Sequence, residues 1–258
     1  MKNQLISRLC ACLVVALCGL PLMAQGVIVY QKDGTKVKFP YELVDSIVTY
    51  NYGEDVEDEL VTPPATDVRA VDLGLSVKWA SCNVGAESPE EYGGYYAWGE
   101  TEEKSDYSLS TYQWCNGISN SLTKYCTDSS YGTVDKKTTL DSEDDVAHVK
   151  WGGNWRMPTR AEQDELRNSC TWSCTSVNGV NGYRVTGPNG NSIFLPAAGY
   201  RNGEVVCERG SHGYYGSATL YDNISNCNYA YFLYFNIGDY DWRGSYRNNG
   251  LSIRPVTE

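Results

Sequence analysis

From Val71 onward the apolar residues come in short runs broken by many turns, in a segment rich in Gly, Tyr, Asn and Trp. Tyr183-Arg184-Val185 and Ser192-Ile193-Phe194-Leu195 flank Gly187-Pro188-Asn189-Gly190, which predicts a hairpin. Two helices are predicted. One lies near Ser142 to Lys150, with Ser142 and Asp145 placed as a capping box. The other opens at Thr159-Arg160-Ala161-Glu162, with Pro158 just outside, and runs to about Asn168. In Tyr229-Ala230-Tyr231-Phe232-Leu233-Tyr234-Phe235-Asn236 a strand puts Tyr231, Leu233 and Phe235 on one face and Phe232 and Tyr234 on the other. A half-buried strand alternates apolar with polar, and this one does not. Either both faces are covered or the second is a surface for a partner. The second reading is the expectation carried forward, with Ile224, Ile237 and Leu251 as further exposed apolar contacts.

Upstream, the pattern divides the chain. Residues 25–52 read as a short N-terminal β module. Val27-Ile28-Val29-Tyr30 is β-branched and aromatic, Asp33-Gly34 is a hairpin signal, Lys36-Val37-Lys38-Phe39 alternates, and Leu43 to Tyr50 supplies a further strand. Residues 53–70 form an acidic, proline-rich linker through Glu54 to Glu59 and Thr62-Pro63-Pro64. Residues 1–24 read as a secretory signal: Lys2 and Arg8, an apolar Leu9 to Leu22, then cleavage near Ala24. A lipoprotein reading would instead cleave at Cys18, but Leu17 stands where a small residue is needed. No other stretch is long and apolar enough to span a membrane. The expected location is secreted, cell-surface or periplasmic.

Charge narrows the partners. Losing Lys2 and Arg8 with the signal takes the net charge from −11 to −13. Such a chain repels phosphate backbones, so nucleic acid is not an expected partner. Seven cysteines follow the signal: Cys82, Cys115, Cys126, Cys170, Cys174, Cys207 and Cys227. An odd number cannot all pair within one chain, and the fold is not expected to depend on disulfides. Cys170 and Cys174, four apart, either pair or line one helix face. His148 and His212 are the only histidines and no two-residue Cys spacing exists, so no metal site and no cofactor are expected. The carboxylates of Asp141, Glu143, Asp144 and Asp145 suit a helix N-terminus better than calcium. No phosphate loop, dinucleotide fingerprint or metalloprotease motif occurs. The chain is therefore read as not an enzyme.

Five motifs then carry a resemblance. They are Val77-Lys78-Trp79-Ala80-Ser81-Cys82-Asn83-Val84-Gly85; Tyr92-Gly93-Gly94-Tyr95-Tyr96-Ala97-Trp98-Gly99; Trp151-Gly152-Gly153-Asn154-Trp155-Arg156-Met157-Pro158-Thr159; Leu195-Pro196-Ala197-Ala198-Gly199-Tyr200-Arg201; and Ser252-Ile253-Arg254-Pro255-Val256. In this order they resemble the Fibrobacter succinogenes major paralogous domain, across residues 72–257. The resemblance implies, for residues 71–258, an α+β C-type-lectin-like domain with two short helices and short antiparallel strands, of the fold shared with formylglycine-generating enzymes. The stretch at residues 26–52 resembles an element of exported Bacteroidetes proteins. The chain departs from the family where Tyr215 is followed by Gly216-Ser217-Ala218-Thr219 instead of Trp-Ser-Ser-Thr, so a large anchor is missing. The Glu-Pro-Asn and Trp-Asn-Asp signatures of calcium-dependent lectins are absent, and Cys207 and Cys227 match no catalytic-cysteine context. One scaffold hosts many activities, so the resemblance speaks to fold more than function.

Composition then singles out the C-terminal window. Between Tyr200 and Arg254 stand nine Tyr, seven Asn, seven Gly and five Ser, and Lys is absent after Lys150. Tyr gives contact area at low entropic cost, Ser, Gly and Asn give adaptable hydrogen bonds, and Arg is favoured over Lys at interfaces. Alternatively, the tyrosines fill a core poor in helix. The expected function is recognition of a protein or glycan ligand outside the cytoplasm, in an oligomeric state the sequence leaves open. The candidate contacts are Tyr214, Tyr221, Asp222, Phe232, Tyr234, Asp239, Tyr240, Arg243 and Tyr246. Some proteins with this scaffold are variable targets of diversity-generating retroelements, which mutate adenines, often in Asn codons. Mutated Asn codons cannot give Lys, Gln, Met, Trp or Glu; Lys, Gln and Met are absent after Tyr200, and Glu204, Glu208 and Trp242 would have to be unmutated positions. A formylglycine-generating-type oxidase and a structural subunit of a surface assembly are the alternatives.

Overall fold

The computed structural model describes residues 69–221 and 227–258, with the backbone of two strands upstream, β1 (Gly26–Tyr30) and β2 (Lys36–Pro40). Residues 1–24, where a secretory signal is expected, Leu43 to Tyr50, residues 53–68, Asp222 and Ile224 lie outside the described residues. β1 and β2 pair antiparallel from Gly26↔Pro40 to Tyr30↔Lys36, the hairpin expected there. They belong to a unit separate from the larger one.

The larger unit is mostly antiparallel sheet with two short helices, an α+β arrangement. Its first and last strands meet. β3 (Ala70–Val71), β4 (Lys78–Ala80) and β13 (Val256–Thr257) form one small sheet in which Trp79 of β4 sits between Val71 and Val256. A three-stranded meander follows the helices: β5 (Thr171–Val177), β6 (Val180–Thr186) and β7 (Ser192–Pro196). The β6–β7 pairing across Gly187 to Gly190 is the hairpin expected from sequence. The β5–β6 turn is Asn178-Gly179, both at positive φ, a two-residue turn whose twist matches its strands and which the sequence reading passed over. β8 (Tyr200–Asn202) pairs with β9 (Val205–Cys207), and β10 (Gly213–Leu220), β11 (Tyr229–Asn236) and β12 (Asp239–Tyr246) form a second meander. The main core lies between the two meanders, where Leu166, Tyr183, Val185 and Leu195 meet Tyr215, Leu233 and Phe235 around Trp79.

The helices obey their caps. α2 (Arg160–Ser169) carries the complete capping box: the Glu162 N–H donates to Thr159 Oγ1 at 3.3 Å, and the Thr159 N–H donates to Glu162 Oε2 at 2.7 Å. Little of α2 is apolar. Leu166 anchors it, and the Gln163 amide donates to the Tyr215 carbonyl at 2.9 Å. The first helix begins later than expected. Ser142–Asp144 is a single 3-10 turn, and Asp145, extended at φ −87°, caps α1 (Val146–Trp151). Asp145 wins because it serves two elements: it accepts from Ala147 N and His148 N, and across the chain from Met157 N at 2.8 Å.

Between β4 and α1 the chain is mostly loop, and buried tyrosines hold it. The Tyr95 hydroxyl donates to the Ala198 carbonyl at 2.6 Å, and Tyr112 to Trp98 at 2.7 Å. Irregular backbone leaves carbonyls that no ladder satisfies, and a phenol both fills space and donates to one. Two buried arginines do the same with more arms. Arg254 donates to the Asn83 side chain and to the carbonyls of Ala80, Ser81 and Phe194. Arg247 donates to the Tyr112 hydroxyl and the carbonyls of Tyr125, Cys227 and Lys124, beneath the Trp98 ring. Where the anchor after Tyr215 is absent, Ile253 and Met157 approach Gly216. A Cβ on Gly216 would lie 2.9 Å from the Ile253 Cδ1 and 3.4 Å from the Met157 Cε.

Candidate functional site

β11 is the middle strand of its sheet, paired to β10 on one side and to β12 over all eight residues on the other. One face of β11, through Leu233 and Phe235, belongs to the main core. The opposite face is covered too. Phe232 is 3 % exposed and Tyr234 5 %, packed with Tyr200, Tyr214 and Leu251. The expectation that Phe232 and Tyr234 form an outward, adhesive face is therefore corrected: both faces of the strand are covered, which explains its missing polar alternation. Leu251 is likewise buried, against expectation, whereas Ile237 is 80 % exposed.

Exposure moves to the neighbouring strand. Along β12, Asp239, Tyr240, Asp241, Arg243 and Tyr246 are exposed, and Ile237 tops the β11–β12 turn, where Gly238 takes φ +98°. Beside Ile237 a cleft of about 380 Å³ opens between the ends of β5, β6 and β11, lined by Cys174, Asn181, Ser211 and Asn236 among others. The β12 side chains alternate. Tyr240 stacks on Trp172 with centroids 4.8 Å apart, and Tyr246 leans on Tyr229 at 4.4 Å. On the other face, Arg243 lies 3.6 Å over the Tyr234 ring and pairs with Asp239 at 3.1 Å.

The sequence-selected residues thus fall into two groups. Tyr214, Phe232, Tyr234, Arg243 and Asp239 share one face: Tyr214 stacks on Phe232 at 5.3 Å and meets Tyr234 edge-on at 5.4 Å. Tyr221, Tyr240 and Tyr246 belong to the other, with Tyr221 packed on Tyr231 at 4.7 Å. Asp222 lies outside the described residues.

Neighbours that sequence reasoning missed complete both faces. Tyr200 and His212 border Tyr214, and Glu208 accepts the Tyr214 hydroxyl proton at 2.5 Å. Burial, then the Glu208 carboxylate, push the Tyr214 phenol well above its ordinary range. On the opposite face the Arg160 guanidinium lies over the rings of Trp242 and Tyr231, at 4.2 and 4.8 Å. The Arg160 contacts join β11 and β12 to the first residue of α2, a separation that no local pattern signals, while Glu208 and His212 join the loop after β9 to β10 and β11.

The acidic cluster and His212 have internal partners. Asp144 accepts from Lys124 and from the Tyr125 hydroxyl, while Asp141 pairs with Lys124 at 2.7 Å and with Lys137 at 2.5 Å. Among the described residues no group of three or more His, Cys, Asp or Glu is arranged to hold a metal ion. His212 Nδ1 lies 2.8 Å from the Ser211 hydroxyl, and His148 lies within α1. Cys170 follows the end of α2 and Cys174 stands on β5, so they share no helix face, and both are free thiols in this structure. No helix among the described residues is long and apolar enough to cross a membrane. Comparison with protein-family models, with curated proteins and with solved structures returns no match to this chain.

Proposed function

We propose that this chain is an exported, non-catalytic binding protein of the C-type-lectin-like fold, which recognises a protein or glycan ligand through β12 and the β11–β12 tip. One observation carries the reading: a strand with exposed Tyr, Arg and Asp side chains is paired along its whole length to a strand buried on both faces. Such a surface is already ordered before it binds, so little conformational entropy is lost on contact. Tyr240, Tyr246 and Ile237 supply area, and Arg243, Asp239 and Asp241 supply direction. The fold assignment draws support from the meeting of the resemblance motifs. Arg254 binds Asn83 and the Ala80, Ser81 and Phe194 carbonyls, and the Arg156 N–H donates to the Val256 carbonyl.

The purified chain, screened against immobilised glycans and extracellular proteins, is expected to yield a ligand. Replacing Ile237, Arg243 and Tyr246 by Ser, Ala and Ala should then weaken binding at least about tenfold, roughly 1.4 kcal/mol, with an unchanged urea midpoint. Undiminished binding by that variant would remove β12 from the site. Copper-dependent thiol oxidation by the purified protein would replace this reading with the oxidase one. Diversification of the surface has its own test: a near-copy of the C-terminal coding segment, differing at adenines and beside a reverse transcriptase gene.

A further inference from the structure

Cys115, Cys126 and Cys227 share one buried cluster with Tyr107, Tyr112 and Leu122. Two of the three are brought together from segments about a hundred residues apart. Thr127, which follows Cys126, has its Oγ1 3.3 Å from the Cys227 Sγ. The backbones are fastened at the same point, because Arg247 Nη1 donates to both the Tyr125 and the Cys227 carbonyls, each at 3.2 Å. Burial, with the adjoining Cys227 sulfur adding to it, pushes the Cys126 thiol above its ordinary value. Cys115 Sγ lies 3.2 Å from the Leu109 carbonyl and Cys126 Sγ 3.0 Å from the Asp128 carbonyl, so what sets Cys126 and Cys227 apart is the Thr127–Cys227 contact and the shared Arg247. All three are free thiols in this structure.

We propose that Cys126 and Cys227 form an oxidisable pair, joined by a disulfide that ties the loop ahead of α1 to the start of β11. A disulfide-class oxidant such as glutathione disulfide supplies the chemistry. One cysteine thiolate attacks the oxidant, breaking its S–S bond and expelling one glutathione thiolate. The second cysteine thiolate attacks the protein sulfur of the resulting mixed disulfide and expels the other. Two cysteines are oxidised, one glutathione disulfide is reduced to two thiols, and the two cysteine protons end on the leaving thiolates. Cys126 is fully buried and Cys227 nearly so, so exchange occurs while the chain folds, before the cluster closes. Formation of the bond in cells rests on the export reading, since a reducing compartment would keep both thiols reduced.

The test is made in vitro and so stands apart from that reading. The reduced full chain is refolded in a mixture of reduced and oxidised glutathione, its monodisperse folded fraction is quenched in acid, and free thiols are alkylated before peptide mapping. The expected result is one cross-linked peptide pair, Cys126 with Cys227, about 2 Da lighter than the reduced pair. Cys227→Ala, refolded alike, should leave Cys126 alkylated. Two free, alkylated cysteines in the folded wild-type fraction would overturn the proposal, as would linkage of either to Cys115 or any other cysteine. If Cys227→Ala fails to fold, the wild-type map still decides.

Discussion

Tyrosine has two jobs in this domain, and the difference is visible one hydroxyl at a time. In the loop-rich half, the phenols of Tyr95 and Tyr112 end on backbone carbonyls that have no sheet partner. Tyr112 also accepts from Arg247 Nε at 3.0 Å. Tyr112→Phe should therefore cost about 2 kcal/mol in urea denaturation, since it strands one buried donor and one buried acceptor. Along β12, by contrast, Tyr240 and Tyr246 remain exposed. Composition could not separate these roles, because the abundance of Tyr is the same signal for a core and for a contact surface. The strand at 229–236 was legible from its residues, but what covered its second face was not. Leu251 and Tyr200 come from elsewhere in the chain. Phe232→Ala should accordingly lower stability by about 3 kcal/mol, the cost of a large buried cavity, where a surface contact would cost almost nothing. Thermal or urea unfolding distinguishes the two.

At the scale of elements, local signals were reliable where local forces decide. Thr159 and Glu162 satisfy each other within one turn, and the α2 start was read correctly; Thr159→Ala should cost about 1 kcal/mol in urea unfolding. The start of α1 was misread because a long-range donor, the Met157 N–H, selects Asp145 over Ser142. The segment leading into α1 also carries a pH signature. Hydrogen bonds from Lys124, then Lys137, pull the Asp141 carboxyl from 3.8 to about 2. Its ionised form therefore favours the fold above about pH 4, and that contribution is lost as the pH falls toward 2. Asp145 acts in the opposite sense. Burial raises its pKa, so its share of stability declines as the pH rises through the raised value. Asp141→Asn should flatten the acid limb of the stability profile between about pH 4 and pH 2, measured by urea titration at each pH.

For the whole molecule, the larger unit combines little helix with much irregular chain, so long-range fastenings matter more than element propensity. The Cys126–Cys227 link closes a loop of about a hundred residues. On the chain-entropy account it should raise unfolding free energy by up to about 4.7 kcal/mol over the reduced protein, a shift readable in the urea midpoint. The small sheet that joins the beginning of this unit to its end has a different consequence. With Val71 and Val256 on either side of Trp79, the first and last strands of the domain run parallel about two strand spacings apart, roughly 10 Å, and Arg69 and Glu258 lie at their opposite ends, within reach of a linker of several residues. The order in which the elements are spelled out along the gene is then a convention more than a necessity. A circular permutant opened at the Asn178-Gly179 turn, with Glu258 joined to Arg69 through a short linker, should refold to the same sheets and present an unaltered β12.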